Sequence, residues 1–353
     1  MRAKHNRPVI TGEPERILVV KLRAIGDVVM CTPVFPNIKK AWPNARVDML
    51  VEEASAPLVR NNPAIDSVVV LPRKTWERMP AHTAWIESLR FIRRLRSARY
   101  DLVIDLFGNP RSAFLTGVSG APVKAGFAFR GRKVWYNTVI EPRGDQVHEV
   151  EFNLDALRRL KIPVSVKDPQ IFASEQDYSY VDTWLSSAVP RGRRVLGIHA
   201  WASWPAKAWP GEYFSRLARA ASSELNMSVV MLWGPGEKQH AENIAEAADC
   251  GVLIAPPTSL TQLAALMSRF TAVAATDSGP MHIAAAMNTP TLGIFGPTNR
   301  DLQGPWGPAS RVVYNKDLDC LGCNLTRCSM RTCMNGLSPE QVLEELKKLV
   351  EHT

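Results

Sequence analysis

The 353-residue chain has no run of the roughly 18 uncharged apolar residues that a spanning helix needs, and its opening MRAKHNRPVITGEPER holds no apolar stretch suited to a secretory signal. The expectation is a cytoplasmic protein. Neither GxGxxG nor a GxxxxGKS/T loop occurs, which excludes the dinucleotide fingerprint and the Walker phosphate loop. Cysteine is scarce, at six residues, and in a cytoplasmic setting permanent disulfides are not expected. Low complexity is absent as well: 46% hydrophobic and 22% charged residues are ordinary globular composition, against extensive disorder. At about 100 to 200 residues per domain, the length favours two domains.

What is present is an uneven charge. Residues 1–165 hold 27 basic and 16 acidic side chains, whereas 166–353 hold 16 and 18, so the whole net charge of +9 belongs to the first half. A one-sided positive field attracts polyanions such as nucleic acid, anionic headgroups or a phosphorylated or carboxylated substrate, although it also serves solubility alone. The densest part, HTAWIESLRFIRRLRSARY, carries Arg90, Arg93, Arg94, Arg96 and Arg99. Trp85, Leu89, Ile92 and Leu95 recur at helical spacing, which predicts an amphipathic helix with these four as its apolar seam. Such a helix fits an anionic membrane or is a solvated face.

Apolar runs alternate with helical patterns. Residues 16–22, 46–51, 67–71 and 101–107 read as buried parallel strands of a first series, and 195–200, 228–234, 272–276 and 289–296 as those of a second. Helices are expected near 211–225, 236–249, 259–269, 279–287 and 338–351. The predicted organisation is an N-terminal Rossmann-like domain over 1–165 with a basic tail over 1–14, a proline-bearing linker over 166–193, and a C-terminal Rossmann-like domain over 194–353 whose final helix, 338–351, could pack back on the first domain. Two doubly wound α/β domains put ligands in a cleft at the C-terminal ends of their strands.

The chemistry-bearing motifs sit at those ends. RAIGDVVM follows the first strand, where Gly26 permits a tight turn and Asp27 is either a general base facing the cleft or the cap of the next helix. In the second series, WASWPAKAWP places Ser203 and Lys207 in a loop framed by Trp204 and Trp209, suited to setting a cation against a diphosphate. LWGPGEKQH puts Glu237 at a helix start, as a plain helix acid or an acceptor for ribose hydroxyls. AATDSGPMHIAAAM sets Asp277, Ser278 and Gly279 at a strand-to-helix turn with His282 in the first helical turn, a natural seat for phosphate oxygens. TPTLGIFGPTNR ends another strand at the same edge, with the Thr298 hydroxyl in its turn.

Together these segments, in this order along nearly the whole chain, resemble glycosyltransferase family 9, the ADP-heptose:lipopolysaccharide heptosyltransferases. The resemblance implies a GT-B fold, metal-independent inverting transfer without a cofactor, a donor such as ADP-heptose, an anionic glycolipid acceptor and peripheral contact with the cytoplasmic face of the inner membrane. It implies Asp27 as general base and Lys207 as the cation that neutralises the departing diphosphate. Gly26, Ser203, Glu237, Asp277, Ser278, Gly279, His282 and Thr298 would line the donor site. Trp201 departs from the family pattern, where a small residue usually stands, and so bears on donor preference. A family member with another nucleotide-sugar donor is the alternative reading, and a basic nucleic-acid-binding protein a more distant one, since no helix-turn-helix, zinc-finger or RNP signature occurs.

Four cysteines cluster in CLGCNLTRCSMRTC: Cys320, Cys323, Cys328 and Cys333. The first pair has metal-ligand spacing, but no second CxxC or His pair follows, so reduced packing thiols are expected ahead of a structural zinc. Cys31 and Cys250 read as small buried side chains.

Overall fold

Continuous Val/Ile/Leu runs bury on both faces, and in the computed structural model each of those runs forms a strand of a parallel sheet. The structure describes residues 12–129, 131–143 and 146–351, and most of the basic tail lies outside them. The chain divides into two units, Met1–Pro169 and Gln170–Thr353.

The first unit contains β1 (Arg16–Val20), β2 (Arg46–Glu52), β3 (Ser67–Leu71), β4 (Leu102–Asp105), β5 (Val123–Phe127) and β6 (Thr138–Ile140). They pair in the order β3-β2-β1-β4-β5-β6, parallel throughout. The second unit contains β7 (Arg194–His199), β8 (Met227–Leu232), β9 (Leu253–Ile254), β10 (Ala272–Thr276), β11 (Thr291–Ile294) and β12 (Ser310–Val313). Their order, β12-β11-β10-β7-β8-β9, is the same winding, also parallel. In each sheet the first strand of the unit lies beside its fourth, so the chain winds away in opposite directions from the β1/β4 and β7/β10 junctions. The loops leaving those strands open a crevice there, which is where doubly wound folds bind ligands. The strands that periodicity did not reveal are β5, β6, β9 and β12. VKAGF interrupts its apolar run with Lys124 and Gly126, and β9 is two residues long.

The structure corrects two readings. The segment taken as a linker contains a 14-residue helix, Glu175–Ala188, with a reciprocal cap between Ser174 and Asp177. The prolines that suggested an irregular connector, Pro169 and Pro190, lie outside it, and Ser174-x-x-Asp177 is a start signal that outweighs them. The helix packs on the Leu260–Met267 helix of the second unit. The Ala81–Ser97 helix is amphipathic as expected, but it turns a different series inward. Ala84, Ser88, Phe91 and Leu95 share one face, of which Phe91 and Leu95 are buried in the core with Leu18, Val20, Leu50 and Val103. Trp85 and Leu89, expected in the apolar seam, are exposed.

The terminal helix, Pro339–Glu351, buries Val342, Leu343, Leu346, Leu349 and Val350 in the core of its own unit, against the Gly211–Glu224 helix and β12. Trp209, expected beside Lys207, belongs to the same core: its ring is 2% exposed, lies edge-on to Phe214 at 4.7 Å, and donates its indole N–H to the Leu337 carbonyl.

Candidate active site

In the second unit, the loop after β7 and the turn after β10 meet at the strand-order junction. Lys207 ends a short helical turn, Pro205–Lys207. Its Nζ stands 2.7 Å from Asp277 Oδ2 and 4.2 Å above the centre of the Trp204 ring. Both partners are mostly buried, with side chains 13% and 8% exposed, so the cation is fixed in place rather than waving in water. The angles of this ion pair fall outside hydrogen-bond geometry, and Asp277 Oδ2 has no hydrogen-bond partner among the described residues.

Ser278 precedes the Gly279–Ala286 helix but does not cap it with its side chain. Its hydroxyl instead donates to the Thr276 carbonyl at 3.0 Å and lies 3.4 Å from His199 Nδ1. Pro280 follows Gly279 in the first turn, and His282 is buried one turn in. The uncapped N-terminus keeps the positive end of its dipole at the sheet edge. Thr298, in the turn after β11, is buried, and its Oγ1 has no hydrogen-bond partner among the described residues. Buried polar atoms are rarely left so, and this one is open to a water or a ligand oxygen. Ser203 lies exposed in the β7 loop.

Glu237 stands at the start of the Lys238–Ala248 helix, as expected, and turns back. Its Oε2 accepts from the Gly234 N–H at 2.7 Å and lies 3.2 Å from His199 Nε2. Burial pushes its carboxyl up, but the His199 hydrogen bond and charge, the Gly234 N–H and the charge of His240 outweigh it and hold the group below its ordinary value of 4.5. His199 thus bridges Glu237 and Ser278.

In the first unit the equivalent junction is built around Lys21, just after β1. Lys21 is 2% exposed, and its Nζ donates to Glu149 Oε1 at 2.8 Å, Asn153 Oδ1 at 3.1 Å and the Leu106 carbonyl at 3.2 Å. Burial works against its charge, yet Glu149, Asp27 and Cys31 together raise its pKa above the usual lysine value. Burial likewise pushes the neighbouring Cys31 thiol up to about 12. Gly26 and Asp27 lie in the Ile25–Met30 helix that follows. Asp27 Oδ2 accepts the Ala24 N–H at 3.0 Å, so the capping role weighed from sequence is real, while Oδ1 has no protein partner among the described residues. The same edge carries Arg73, 2.9 Å from Glu52, and Arg111, 3.8 Å from it.

The chain is matched by the profile of glycosyltransferase family 9 (heptosyltransferase) over residues 88–334, most of its length. The chain belongs to this family. Lipopolysaccharide heptosyltransferase 1 of Pseudomonas aeruginosa is 28% identical over 95% of this chain and 98% of its own. Lipopolysaccharide heptosyltransferase 3 of Escherichia coli is 28% identical over 81% and 84%. Among solved structures, a glycosyltransferase of family 9 from Veillonella parvula superposes with a TM-score of 0.84 at 22% identity, over 96% of this chain and 98% of that one. The ADP-heptose lipopolysaccharide heptosyltransferase II of E. coli gives 0.76 at 23%, over 96% and 99%. The fold is therefore GT-B, and the protein is a glycosyltransferase.

Two features of this family 9 transferase escaped the motif reading. His199 ends a strand whose other residues look merely apolar, and only the pairing of β7 with β8 and β10 shows what it touches. The cysteine-rich stretch is the other. Gly322 N–H donates to the Gly296 carbonyl, Asn324 N–H to Pro297, and Arg331 to the Ala208 carbonyl, while Ala206 N–H donates to the Thr326 carbonyl. The stretch is a strap that ties the Lys207 loop to the Thr298 turn. It also explains Gly296: a Cβ there would meet Met334 Sδ at 2.5 Å and Cys333 Sγ at 2.8 Å. Cys333 is buried and Cys328 half-buried, but Cys320 and Cys323 are exposed, so those two are not packing thiols. Among the described residues no three His, Cys, Asp or Glu side chains converge as a metal site.

Proposed function

We propose that the protein transfers a heptose from ADP-heptose to the inner core of lipopolysaccharide, inverting the anomeric carbon and using no metal ion. The observation that carries this is the anion seat at the β7/β10 junction: Lys207 held by Asp277 and Trp204, an uncapped helix N-terminus, and Thr298 Oγ1 buried without a partner. As the glycosidic bond to phosphate breaks, the electron pair leaves with ADP. Lys207 and the helix N-terminus meet the charge that grows there, the work a metal would otherwise do. Ser203, Ser278, Gly279, His282 and Thr298 surround the sugar and phosphates, and Glu237 accepts from the ribose hydroxyls. Asp27 removes the proton of the acceptor hydroxyl as its oxygen attacks the anomeric carbon.

The acceptor is an anionic glycolipid, Kdo-lipid A or its heptosylated form. It suits the first unit, where a recess of about 260 Å³ is lined by Leu71, Arg73, Trp76, Glu77, Ser88 and Arg111. No helix among the described residues is long and apolar enough to cross a membrane, and the enzyme works as a peripheral protein on the cytoplasmic face of the inner membrane.

A second reading keeps the fold and changes the donor, and Trp201 favours it. Its ring is 41% exposed, edge-on to His240 at 5.6 Å, on the helix that Glu237 begins. Incubating purified protein and acceptor with ADP-heptose and, separately, with other nucleotide sugars decides between the two. Acceptor-dependent ADP release from ADP-heptose alone is expected; turnover of a different donor only would replace heptose with that sugar.

A further inference from the structure

The Ala81–Ser97 helix buries only Phe91 and Leu95 completely and leaves Trp85 66%, Ile86 42% and Leu89 41% exposed. At about 100° per residue, those three and Arg90, Arg93 and Arg96 fall within one outward arc of about 140°. The only acidic residue on the helix is Glu87, already paired with Arg90 at 2.5 Å. A tryptophan and two large aliphatic side chains interleaved with three arginines on one unpartnered face are a strange surface to show to water. Solubility calls for the arginines without the apolar trio, and a core calls for the trio without the arginines.

We infer that this face is a docking surface for an anionic lipid bilayer. Its composition matches each depth of such a surface. Tryptophan sits at the headgroup boundary, Ile86 and Leu89 reach the upper acyl region, and the arginines pair with phosphates around them. A nucleic acid would engage the arginines but gain nothing from Ile86 and Leu89. The positive excess of residues 1–165 adds long-range attraction. Neighbouring elements repeat the pattern: the Pro110–Val118 helix packs beside this one, and its exposed Phe114 lies edge-on to Trp135, next to exposed Val134 and Lys133. The inference deepens the proposed function, in which the acceptor is a glycolipid. Ser88, on the inward face of the same helix, lines the acceptor recess with Arg73 and Arg111, so one helix serves both the recess and the docking surface.

The full chain, sedimented with phosphatidylcholine vesicles and with phosphatidylcholine–phosphatidylglycerol vesicles, should bind the mixed vesicles, less so as salt rises. Trp85→Ala/Leu89→Ala should weaken that binding by about tenfold or more, the scale expected for two interfacial apolar side chains. Arg90→Gln/Arg93→Gln/Arg96→Gln should reduce binding on mixed vesicles to the level seen on neutral ones. Because these side chains are exposed, both variants should melt as the parent does. Each should also turn over a water-soluble acceptor without acyl chains at the parent rate. The inference is overturned if the parent ignores both vesicle types, or if the Trp85/Leu89 variant binds as well as the parent. It is equally overturned if the parent is a dimer that this variant dissolves, or if duplex DNA rather than vesicles binds the face. If vesicle binding behaves as described and no ADP-heptose is turned over, the proposed reaction falls and the docking surface stands.

Discussion

The two units share one winding, 3-2-1-4-5-6 in each unit's own strand order, and each places a lysine in the segment after its first strand: Lys21 follows β1 directly, and Lys207 ends the short helical turn of the loop after β7. Their surroundings differ. Lys21 is sealed by three oxygens, from Glu149, Asn153 and Leu106, and has no capacity left for a ligand. Lys207 has one carboxylate beside it and a tryptophan face beneath it, within reach of an uncapped helix N-terminus. The same strand-order junction carries a structural rivet in one unit and, in the proposed reaction, an anion seat in the other. The rivet fastens the loop that carries Asp27; in the proposed reaction the seat holds what leaves. A shared scaffold thus fixes where chemistry happens, and the partners a loop brings decide which chemistry it is.

The largest expected effect tests what the rivet supports. Asp27→Asn keeps shape and the Ala24 contact but removes the base, and should cut turnover by about 10² to 10⁴ while leaving ADP affinity within about twofold. If ADP affinity collapsed and turnover of the bound donor did not, Asp27 would be only a helix cap. Next, the lysines should part company. Lys207→Met should lower kcat/KM by about 10² to 10³, because it removes charge from the leaving-group side, and should cost less stability than the same change at Lys21, since it strands one carboxylate, Asp277, rather than three oxygens. Lys21→Met strands Glu149 and Asn153 beside an apolar chain and should cost about 3 kcal/mol of stability, read by denaturant titration. Equal stability losses for both substitutions would erase the distinction between rivet and seat.

Much of this division could be read from sequence because long Val/Ile/Leu runs have few alternatives to buried strands. Each motif at a strand's end was placed by the strand that precedes it. RILVVKL located the Asp27 turn, and AVAAT located Asp277 and Ser278. The reading weakened wherever the deciding contact is tertiary. On the Ala81–Ser97 helix two series of the same spacing compete for the core, and periodicity alone does not choose between them. Lys21 and His199 hide inside apolar runs, since a polar residue at a buried strand's end declares itself only through partners far along the chain, Glu149 for one and Glu237 for the other. The strap over residues 322–331 works mostly through backbone groups, which every residue has, with the Arg331 side chain as the exception, so its cysteines drew notice while its carbonyl contacts could not.

The smallest expected effect concerns His199, which touches Glu237 on one side and Ser278 on the other. Glu237 keeps its carboxylate below its ordinary value of 4.5, against the upward push of burial, because of His199 and the Gly234 N–H. A carboxyl depressed in this way contributes fully above 4.5 and loses its contribution as the pH falls through the lower value of the folded state. His199→Asn removes the charge and the ring contact, so Glu237 should rise back toward 4.5 and its loss should begin at a higher pH. Titrating ADP affinity calorimetrically from neutrality down to about pH 4 should show the acid limb of the variant displaced upward, with near-parental affinity at pH 7. Glu237→Gln, which has no carboxyl to titrate, should flatten that limb in either background. A limb that stays put in His199→Asn would mean that the Gly234 N–H and the charge of His240 set the carboxylate, leaving His199 to align Ser278.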